Sequence, residues 1–452
     1  MYVLNKKQLA TTSLRADACE IIESAYEALD IEKTITRKVC LRGTTLFVMG
    51  EKSLRIDLSP FRRVFVIGVG KGTGVAINTL ADVLGKRLTR AFALTVRDTA
   101  RAMPKRPRVE ILYGTHPEPS RVNIRATEKI VSLLAQTNEK DFVLFFIAGG
   151  GSALLCGTEH ERLAGHRVFP ALTKKGATIH EMNVVRKHLS EVKGGGLARI
   201  AHPATQLSLI VSDVPGDDIQ TIASGPTVRD TTTIADALGV LVRYGVSLRG
   251  LLFVETPKDK KIFSKSIAML FVSNRDAVAA MQKEARRLGY AARVASRALQ
   301  GEARTALIPF LKKIKKGEAI VGAGETTVHV RGNGMGGRNQ EAALGALEYM
   351  MNHRKETGGV AVASFGSDGH DNTPVAGALV DGAAADTAKK KKMHPKKFLS
   401  RNDSYRFFKK MGGHIRAHRT AFNVSDLMVA IKEKKGLFAL VSGRKRNAQR
   451  VR

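Results

Sequence analysis

A glycine-rich stretch in the C-terminal half, GNGMGGRNQE at residues 332–341, places four glycines around one arginine. An ordinary turn needs one glycine or two. A backbone that must approach an anion closely needs several, and it gains from a nearby guanidinium. An alanine-rich run typical of a helix follows directly. The stretch therefore raises the question whether an anion binds at Gly336, Gly337, Arg338 and Asn339, and the rest of the chain must answer it.

A second glycine loop, GVGKGTG at residues 68–74, follows an apolar run and opens a helical pattern. Its glycines are spaced GxGxxxG, which is not the dinucleotide-binding fingerprint, and no Walker GxxxxGKS or GxxxxGKT motif occurs in the chain. Two interpretations are equally good for this loop alone. Gly70 and Lys71 form either a phosphate-binding turn or a tight turn that carries a surface lysine.

A third glycine loop is AGGGSALL at residues 148–155, where three successive glycines precede Ser152. Ser152 is a good N-cap residue for the helix that is predicted to follow. A purely structural turn seldom needs three glycines, whereas an oxyanion can approach such a backbone closely. The loop therefore predicts anion binding at Gly150, Gly151 and Ser152.

Aspartates follow two other predicted strands. They are Asp213, Asp217 and Asp218 in VSDVPGDD, and Asp368 and Asp371 in GSDGHDN. Carboxylates at strand ends can hold Mg²⁺ together with phosphate oxygens, or they can take a proton from a hydroxyl. Aspartate is also common in turns for structural reasons. That alternative is the better one for a single residue, but two clusters beside glycines favour function.

A cationic helix is predicted from His180, in HEMNVVRKHLSEVKGGG. It carries Arg186, Lys187 and His188 on one side, and Lys193 precedes three glycines. Arg186 and Lys193 are therefore further candidates for binding phosphate. The chain has no Cys/His group with zinc-ligand spacing and no GxSxG serine motif. Glycine loops, separate cations and strand-end carboxylates are together the groups that phosphoryl transfer requires.

Alternating strand and helix patterns must position these groups. Short apolar runs that end in Gly, Ser or Asp precede helical patterns, and they start at residues 62, 141, 206, 266 and 360. This alternation predicts an α/β fold with parallel strands, in which ligands bind beyond the carboxyl ends of the strands. Residues 14–31 are predicted to form an amphipathic helix and residues 38–58 a hairpin.

Length and composition limit the class of protein. A chain of 452 residues predicts two domains, which we place at residues 1–235 and 236–452. The three cysteines share no close spacing, and the sequence shows neither a signal peptide nor an apolar run long enough to span a membrane. These features predict a cytoplasmic protein without disulfide bonds.

The formal net charge of +33 raises the question of nucleic-acid binding. The basic residues are widely spread, the chain has no Trp, and aromatic residues do not interleave with the lysine run at residues 389–397. A solvated surface is therefore the better interpretation, and nucleic acid is an unlikely partner. A basic tail from about residue 443 is expected to be disordered and could contact RNA weakly.

In their order along the chain, the motifs resemble those of the two-domain glycerate 2-kinases that end in a MOFRL domain. The matching stretches are GVGKG at 68, GTHPEP at 114, AGGGSALL at 148, NVVRKHLSEVKGG at 183, SDVPGDDIQTIASGPTVRD at 212, GETTVHVRGNGMGGRNQE at 324, SDGHDNTPVAGALVD at 367, NDSY at 402 and NVSDL at 423. They extend from about residue 15 to about residue 435. An ordered series of this kind is far more specific than any single glycine motif.

The resemblance implies a fold, a reaction and roles for four residues. The fold is a Rossmann-like N-terminal domain with a mostly parallel sheet, and a smaller α/β C-terminal domain across a cleft. The reaction is ATP-dependent, Mg²⁺-assisted phosphorylation of the C2 hydroxyl of D-glycerate, which yields 2-phosphoglycerate and ADP. Lys71 and Arg338 match the family's cationic residues, and Asp213 and Asp368 match its carboxylates, which hold Mg²⁺ or accept the C2 proton. A monomer or a homodimer is expected.

The sequence departs from the family pattern in the loop HRTAFNVSD at residues 418–426, where glycines are usual. Bulkier residues there bring the fit of the substrate into question. Smaller departures are Ala323 and Gly196. The alternatives are a kinase for another small hydroxy acid, a hydroxypyruvate reductase, and a decayed, basic, nucleic-acid-associated protein. The failed dinucleotide fingerprint disfavours the reductase, and the retained Lys71 and Arg338 disfavour decay.

Overall fold

The structure is a computed structural model that describes residues 1–97, 104–214, 216–420 and 423–434. The chain forms two compact units. The parallel-sheet unit comprises Asp30–Ser273 and a short segment that ends at Val424. The mixed-sheet unit comprises Met1–Leu29, Asn274–Thr420 and the chain from Ser425 onward.

The parallel-sheet unit begins with a small antiparallel sheet in the order β1-β2-β3. Its strands are β1 (Val39–Arg42), β2 (Thr45–Met49) and β3 (Ser53–Asp57). The predicted hairpin over residues 38–58 therefore gains a third strand, because the chain turns twice. Gly43 adopts the left-handed conformation in the first turn, and the Gly50 amide donates to the Lys52 carbonyl in the second.

The main sheet of this unit is entirely parallel, as predicted. Its strands are β4 (Arg63–Val69), β5 (Arg90–Val96), β6 (Val109–Gly114), β7 (Asp141–Ile147), β8 (Thr205–Val211) and β9 (Ser266–Val272). They lie in the order β6-β5-β4-β7-β8-β9, the order of a doubly wound Rossmann-type sheet. All residues of β7 are buried, as expected for a strand covered on both faces. The connections change direction between β4 and β7, where such sheets bind ligands.

The mixed-sheet unit is built on a second six-stranded sheet, in the order β10-β11-β15-β12-β13-β14. Its strands are β10 (Ala291–Val294), β11 (Glu318–Gly324), β12 (Val360–Gly366), β13 (Gly377–Asp381), β14 (His414–Ile415) and β15 (Asp426–Lys432). The prediction that the strand from residue 360 is parallel was wrong, because β12 pairs antiparallel with both β13 and β15. The chain returns from β12 to β13 without a helix, and a connection that short cannot make a parallel crossover.

Helices cover the sheets. In chain order they are α1 (Lys6–Leu9), α2 (Ser13–Leu29), α3 (Ile31–Lys38), α4 (Thr73–Leu84), α5 (Arg121–Leu134), α6 (Gly151–Leu154), α7 (Glu159–Lys174), α8 (Ile179–His188), α9 (Gly196–Ala201), α10 (Ile234–Arg243), α11 (Asn274–Arg287), α12 (Ala303–Ala306), α13 (Ile308–Lys313), α14 (Arg338–Asn352), α15 (Arg354–Thr357), α16 (Gly382–Lys390), α17 (Pro395–Leu399) and α18 (Ser404–Met411). In the part of the chain that the structure describes, no helix combines the length and the apolar character needed to cross a bilayer.

The units differ from the predicted domains in two respects. The parallel-sheet unit extends beyond residue 235 to Ser273, because β9 pairs with β8 and forms the edge of the sheet. The predicted amphipathic helix at residues 14–31 is present as α2, but it belongs to the mixed-sheet unit, where it packs against α11. Its Tyr26 is fully buried and donates a hydrogen bond to the Gly366 carbonyl at the end of β12.

Candidate functional site

Three predicted site residues of the parallel-sheet unit come together beyond β4, β7 and β8. The Lys71 amide donates to the Gly149 carbonyl at 2.9 Å, which joins the two glycine loops. The carboxylate of Asp213 lies against Gly149, where any side chain would collide with it. The side chain of Lys71 passes beside Gly150, since a Cβ built there would lie 3.2 Å from the lysine Cε. This edge therefore combines an ammonium, a glycine backbone and a carboxylate at the point between β4 and β7 where the strand order reverses.

The glycines of these loops are required by backbone geometry. Gly70 has φ +130° and Gly150 has φ +79°, values that residues with a side chain rarely adopt. Gly150, not the predicted Ser152, is the N-cap of α6. A Cβ on Gly151 would lie 2.6 Å from the Cβ of Ala223. The loop after β7 can therefore approach a ligand closely, but part of its glycine content serves packing.

Ser152 starts a chain of polar contacts that the sequence did not predict. Its Oγ lies 2.9 Å from the Oγ of Ser224, which donates to Oδ1 of Asn183, which also accepts from Nη1 of Arg186 at 3.0 Å. Ala223 and Ser224 have φ of +51° and +59°, although neither is a glycine. Such backbone strain concentrates at functional sites. The predicted residues Ser152 and Arg186 are thus linked through Ser224 and Asn183, neither of which the sequence predicts as a site residue.

Two lysines, one in α8 and one after it, are neutralised within the protein. Lys187 is buried and its ammonium lies 3.0 Å from Oδ1 of Asp230. Lys193, which was predicted to bind phosphate, is also buried; it pairs with Glu161 and donates to the Leu155 carbonyl. These contacts give Lys193 partners within the protein, and its role in binding phosphate stays a prediction.

The glycines that follow Lys193 also have structural reasons. Gly194 and Gly195 have positive φ, and their amides donate to the carbonyls of Ser224 and Gly225. The departure at Gly196, where a longer residue is usual, has a local explanation as well. A side chain there would collide with the Glu191 carbonyl.

Arg186 differs from its two lysine neighbours. Its guanidinium carbon lies 4.5 Å from the centroid of the Phe169 ring, and no carboxylate pairs with it among the described residues. Burial lowers the pKa of Arg186 to about 10, although the nearby Glu161 raises it. The Arg186 guanidinium has lost much of its hydration on burial and has gained no carboxylate partner among the described residues. This indicates that a bound ligand supplies the missing contacts.

In the mixed-sheet unit, Arg338 is the first residue of α14 and is held by two carboxylates. Its Nη1 lies 2.6 Å from Oε1 of Glu325 and its Nε lies 2.7 Å from Oδ2 of Asp426. Burial lowers the pKa of Arg338, but Asp426 and Glu325 outweigh it, so the net shift is upward. The guanidinium is therefore a fixed, permanent positive charge that remains 28% exposed.

Asp426, which lies within the matching stretch NVSDL, is the central carboxylate of this cluster. It lies at the start of β15, between the ends of β11 and β12. Asn339 donates to its Oδ1 at 2.8 Å and accepts from the hydroxyl of Ser364. Burial raises the pKa of Asp426 to about 7 against the opposing effect of Arg338. Asn339, a predicted anion-binding residue, is thus engaged within the protein.

The two aspartates after β12 have different environments. Asp371 is buried and accepts from the backbone amides of Asn339 and Gln340, which fixes the N-terminus of α14. Asp368, the predicted ligand or base, is half-buried; its Oδ1 accepts from the His370 amide and its carbonyl from the Thr420 amide. Asp213 belongs to the other unit, and the assignment of Mg²⁺ binding and proton acceptance to Asp213 and Asp368 stays a prediction. No group of three or more metal-binding side chains occurs within residues 1–97, 104–214, 216–420 and 423–434.

The glycines of the 332–341 stretch pack against protein backbone. A side chain on Gly336 would collide with the hydroxyl of Ser404, and one on Gly337 with Asp371. A Cβ on Gly332 would lie 2.6 Å from the Arg401 carbonyl oxygen. Close packing against residues 401–404 and Asp371 gives these glycines a structural reason, and anion binding at Gly336 and Gly337 stays a prediction.

Comparison with known proteins agrees with this arrangement of loops and strands. The family model of a domain of unknown function, DUF4147, matches residues 17–251, and the MOFRL family matches residues 318–426. A D-glycerate 2-kinase of Thermotoga maritima is 34% identical over 439 residues, which covers 93% of this chain and 98% of the relative. The chain belongs to the glycerate 2-kinase family.

A solved structure and a second relative extend the comparison. The crystal structure of a glycerate kinase from Thermotoga maritima matches with a TM-score of 0.80 at 32% identity, and covers 93% of this chain and 99% of that one. A protein of Agrobacterium vitis named putative hydroxypyruvate reductase is 36% identical and covers 81% of this chain and 87% of its own length. The family and fold inferred from the motifs are thus confirmed.

The altered loop of this family member lies partly outside the described residues, since Ala421 and Phe422 are not described. Of its described part, Thr420 donates from its hydroxyl to the Ser367 carbonyl, and Asp426 holds Arg338. The altered loop thus retains a carboxylate that pairs with Arg338. The basic tail from about residue 443 also lies outside the described residues.

Replacing Lys193 by glutamine tests whether this residue serves the fold or a phosphate. We expect the free energy of unfolding to fall by about 3 kcal/mol, because Glu161 would be left as a buried carboxylate without its cation. We expect KM for ATP to stay within about twofold of the wild-type value. Urea denaturation and steady-state kinetics measure the two effects. The control is Lys283→Gln, at an exposed lysine of α11 that lies far along the chain from these residues. A raised KM with unchanged stability would restore the phosphate-binding role.

Replacing Asp426 by asparagine should flatten the pH dependence of stability. The folded-state pKa of Asp426, about 7, lies above its ordinary value of 3.8. Its contribution to stability is therefore fully present below pH 4 and is lost as the pH rises through about 7. Across this window the wild type should lose at least about 1 kcal/mol relative to the variant, the equivalent of roughly one pKa unit.

Urea denaturation at pH values from 4 to 8 checks this expectation. Asp371, whose pKa burial also raises, is present in both proteins, and its charge contributes to the raised pKa of Asp426. Asp386→Asn, at an exposed aspartate of α16, is the matched control. Parallel stability curves for the wild type and Asp426→Asn would contradict the prediction.

Proposed function

We propose that this protein is a glycerate 2-kinase that transfers the γ-phosphoryl group of ATP to the C2 hydroxyl of D-glycerate. The observation that carries the proposal is the convergence of Lys71, the 149–152 glycine loop and Asp213 where the parallel sheet changes direction, in a member of this family. Such a site in a doubly wound sheet suits a nucleotide phosphate.

The parallel-sheet unit supplies the groups that a nucleotide phosphate requires. We assign the backbone amide of Gly150 and the ammonium of Lys71 to the phosphate oxygens. The carboxylate of Asp213, held against Gly149, is a suitable oxygen donor for Mg²⁺, which prefers one or two carboxylates with phosphate oxygens. When bound there, Mg²⁺ would supply charge neutralisation at the phosphates.

The reaction balances as a direct transfer. The oxygen of the C2 hydroxyl forms a bond to the γ-phosphorus, and the bond from that phosphorus to the bridging oxygen of ADP breaks. The proton of the C2 hydroxyl passes to a carboxylate. Asp213 is the preferred acceptor if it does not bind the metal, and Asp368 is the other candidate. Arg338, fixed by Asp426 and Glu325, would stabilise negative charge on the moving phosphoryl group or bind the glycerate carboxylate.

The test is the release of ADP from ATP and Mg²⁺ in the presence of D-glycerate, with ³¹P NMR to distinguish the 2-phosphoester from the 3-phosphoester. L-Glycerate and other small 2-hydroxy acids define specificity. Oxidation of NADH or NADPH with hydroxypyruvate is measured in parallel, because a relative carries the name of that reductase. Phosphorylation of another acid alone would reject the proposed substrate, and reductase activity without ADP release would reject the kinase.

The remaining expectations are part of this proposal. A cytoplasmic location and a monomeric or homodimeric state fit a metabolic kinase. RNA binding through the basic tail remains the rival function. A salt-dependent titration with RNA separates it, since nucleic-acid affinity falls steeply as salt concentration rises.

A further inference from the structure

We infer that the cavity between α7, α8 and the loop after β6 binds the adenosine part of ATP. The cavity has a volume of about 680 Å³ and lies within the parallel-sheet unit. This volume is within the usual range for small-molecule sites. Much of the wall is apolar, formed by Phe169, Pro119, Ala153 and Leu189, while Arg186 and Ser152 add polar groups. The inference rests on the proposed function, because it assumes that the transferred phosphate comes from a nucleotide.

One end of the cavity meets the loop assigned to the phosphates. Gly150 and Ser152 belong both to the cavity wall and to the loop after β7. A Cβ on Gly150 would lie 3.2 Å from Lys71 and 3.3 Å from the ring of His116. Burial, aided by Lys71, lowers the pKa of His116 to about 4, so this ring is uncharged at neutral pH. A ligand in the cavity would therefore reach the charged edge of the sheet at this end.

The interior of the cavity offers a surface for a flat base. Phe169 lies half-buried in the wall, with the Arg186 guanidinium 4.5 Å from its ring centroid. Aromatic rings and guanidinium groups are the side chains on which nucleobases stack. Arg186 has a hydrogen bond to Asn183 but no carboxylate partner among the described residues, so a ligand's π-system or ribose oxygens can complete its contacts.

A glycine within α7 keeps this ring accessible. Gly165 lies one turn before Phe169, and the nearest atoms to a Cβ built on it are those of the Phe169 ring, at 3.2 and 3.5 Å. Glycine in a helix interior is unfavourable by about 1 kcal/mol relative to alanine. A side chain at this position would cover the ring. The glycine thus lowers the stability of α7 but leaves space in the cavity beside the Phe169 ring.

The competing occupant is D-glycerate itself. A three-carbon acid would leave most of a cavity of this volume unfilled, and its polar atoms would gain little from Phe169, Pro119 and Leu189. Adenosine has both an aromatic base for the ring and a polar ribose that links to phosphate. The chemistry and the volume therefore favour the nucleoside.

The test fills the space over the ring and measures nucleotide binding by calorimetry. We expect Gly165→Leu to weaken ADP binding about tenfold or more, the loss expected when a base no longer stacks. Binding of inorganic tripolyphosphate, which lacks the nucleoside, should stay unchanged. The matched control is Gly239→Leu, the same change within α10, where a Cβ meets open space. A second pair, Phe169→Ala and Phe169→Trp, should weaken and retain ADP binding respectively.

The outcomes separate this inference from the proposed function. If the wild type phosphorylates D-glycerate but Gly165→Leu and Phe169→Ala both bind ADP normally, the inference is overturned and the kinase stands. If these variants raise only KM for D-glycerate, the cavity belongs to the acid and the inference is again overturned. If the wild type has no kinase activity but Gly165→Leu selectively loses ADP binding, the adenosine site stands and the proposed function fails. Absence of ADP binding in the wild type would overturn the inference.

Discussion

Replacing Arg338 by alanine is expected to lower kcat for D-glycerate phosphorylation by about 10³-fold, the scale on which arginines stabilise charge in phosphoryl transfer. The guanidinium is held by Glu325 and Asp426 and is partly exposed, so it presents a fixed charge without a side-chain rearrangement. Its removal should leave the protein folded. Burial already raises the pKa of Asp426 to about 7, and without Arg338 this carboxyl group would take up a proton instead of remaining charged.

Steady-state kinetics and thermal unfolding measured on the same preparations check this result. The matched control is Arg304→Ala, because Arg304 also pairs with two carboxylates, those of Glu302 and Glu341, and is 23% exposed. The control should lose stability but not kcat. A large rise in KM for D-glycerate with nearly normal kcat would instead assign Arg338 to the substrate carboxylate. Normal kinetics for Arg338→Ala would remove this residue from the mechanism.

The parallel sheet could be predicted because its signal is local. Apolar runs such as β4 and β7, each followed by a glycine loop and a helix, specify crossover connections from a few residues of sequence. The mixed sheet could not be predicted in this way. β15 inserts between β11 and β12, and this pairing joins segments that are distant in sequence. The attachment of α2 to the other unit has the same cause, since burial of Tyr26 against Phe365 is a long-range contact.

Sequence alone identifies a candidate residue where the residue carries charge and lies in a strand-end loop. Lys71, Asp213 and Arg338 are examples, because rare cations and carboxylates beside glycines are visible in a sequence. The partners that fix them were missed. Asp426 lies at the start of a strand rather than in a glycine loop, and Glu161 lies in the first turn of a helix, where acidic residues are ordinary.

Glycines were the least reliable signal, for a physical reason. A glycine that accommodates a ligand and one that accommodates another part of the chain have the same sequence appearance. Gly150 has a positive φ and borders a cavity. The space beside Gly336 and Gly337, in contrast, is occupied by Ser404 and Asp371. Only the neighbours in space distinguish the two cases.

Replacing Asp213 by asparagine should lower kcat by about 10²–10⁴-fold, the range for loss of a general base. The change retains the shape of the side chain, so contact with Gly149 and the packing of the loop after β8 should persist. It removes the negative charge that either a metal ion or the C2 proton requires. If Asp213 accepts the proton, excess Mg²⁺ should restore none of the lost activity. If it holds Mg²⁺, the concentration of Mg²⁺ needed for half-maximal rate should rise, and excess Mg²⁺ should restore part of the activity.

The neighbouring Asp218 provides the matched control. It lies in the same loop and is exposed, and its Oδ1 accepts from the backbone amide of Gln220 in a local turn. Asp218→Asn should therefore keep kcat and the Mg²⁺ dependence of the wild type. Equal losses in the two variants would indicate that the loop depends on its total negative charge, and Asp213 would lose its special role. A loss confined to Asp213→Asn would show that the chemistry depends on a single carboxylate. That carboxylate lies against Gly149, where the strand order of the parallel sheet reverses.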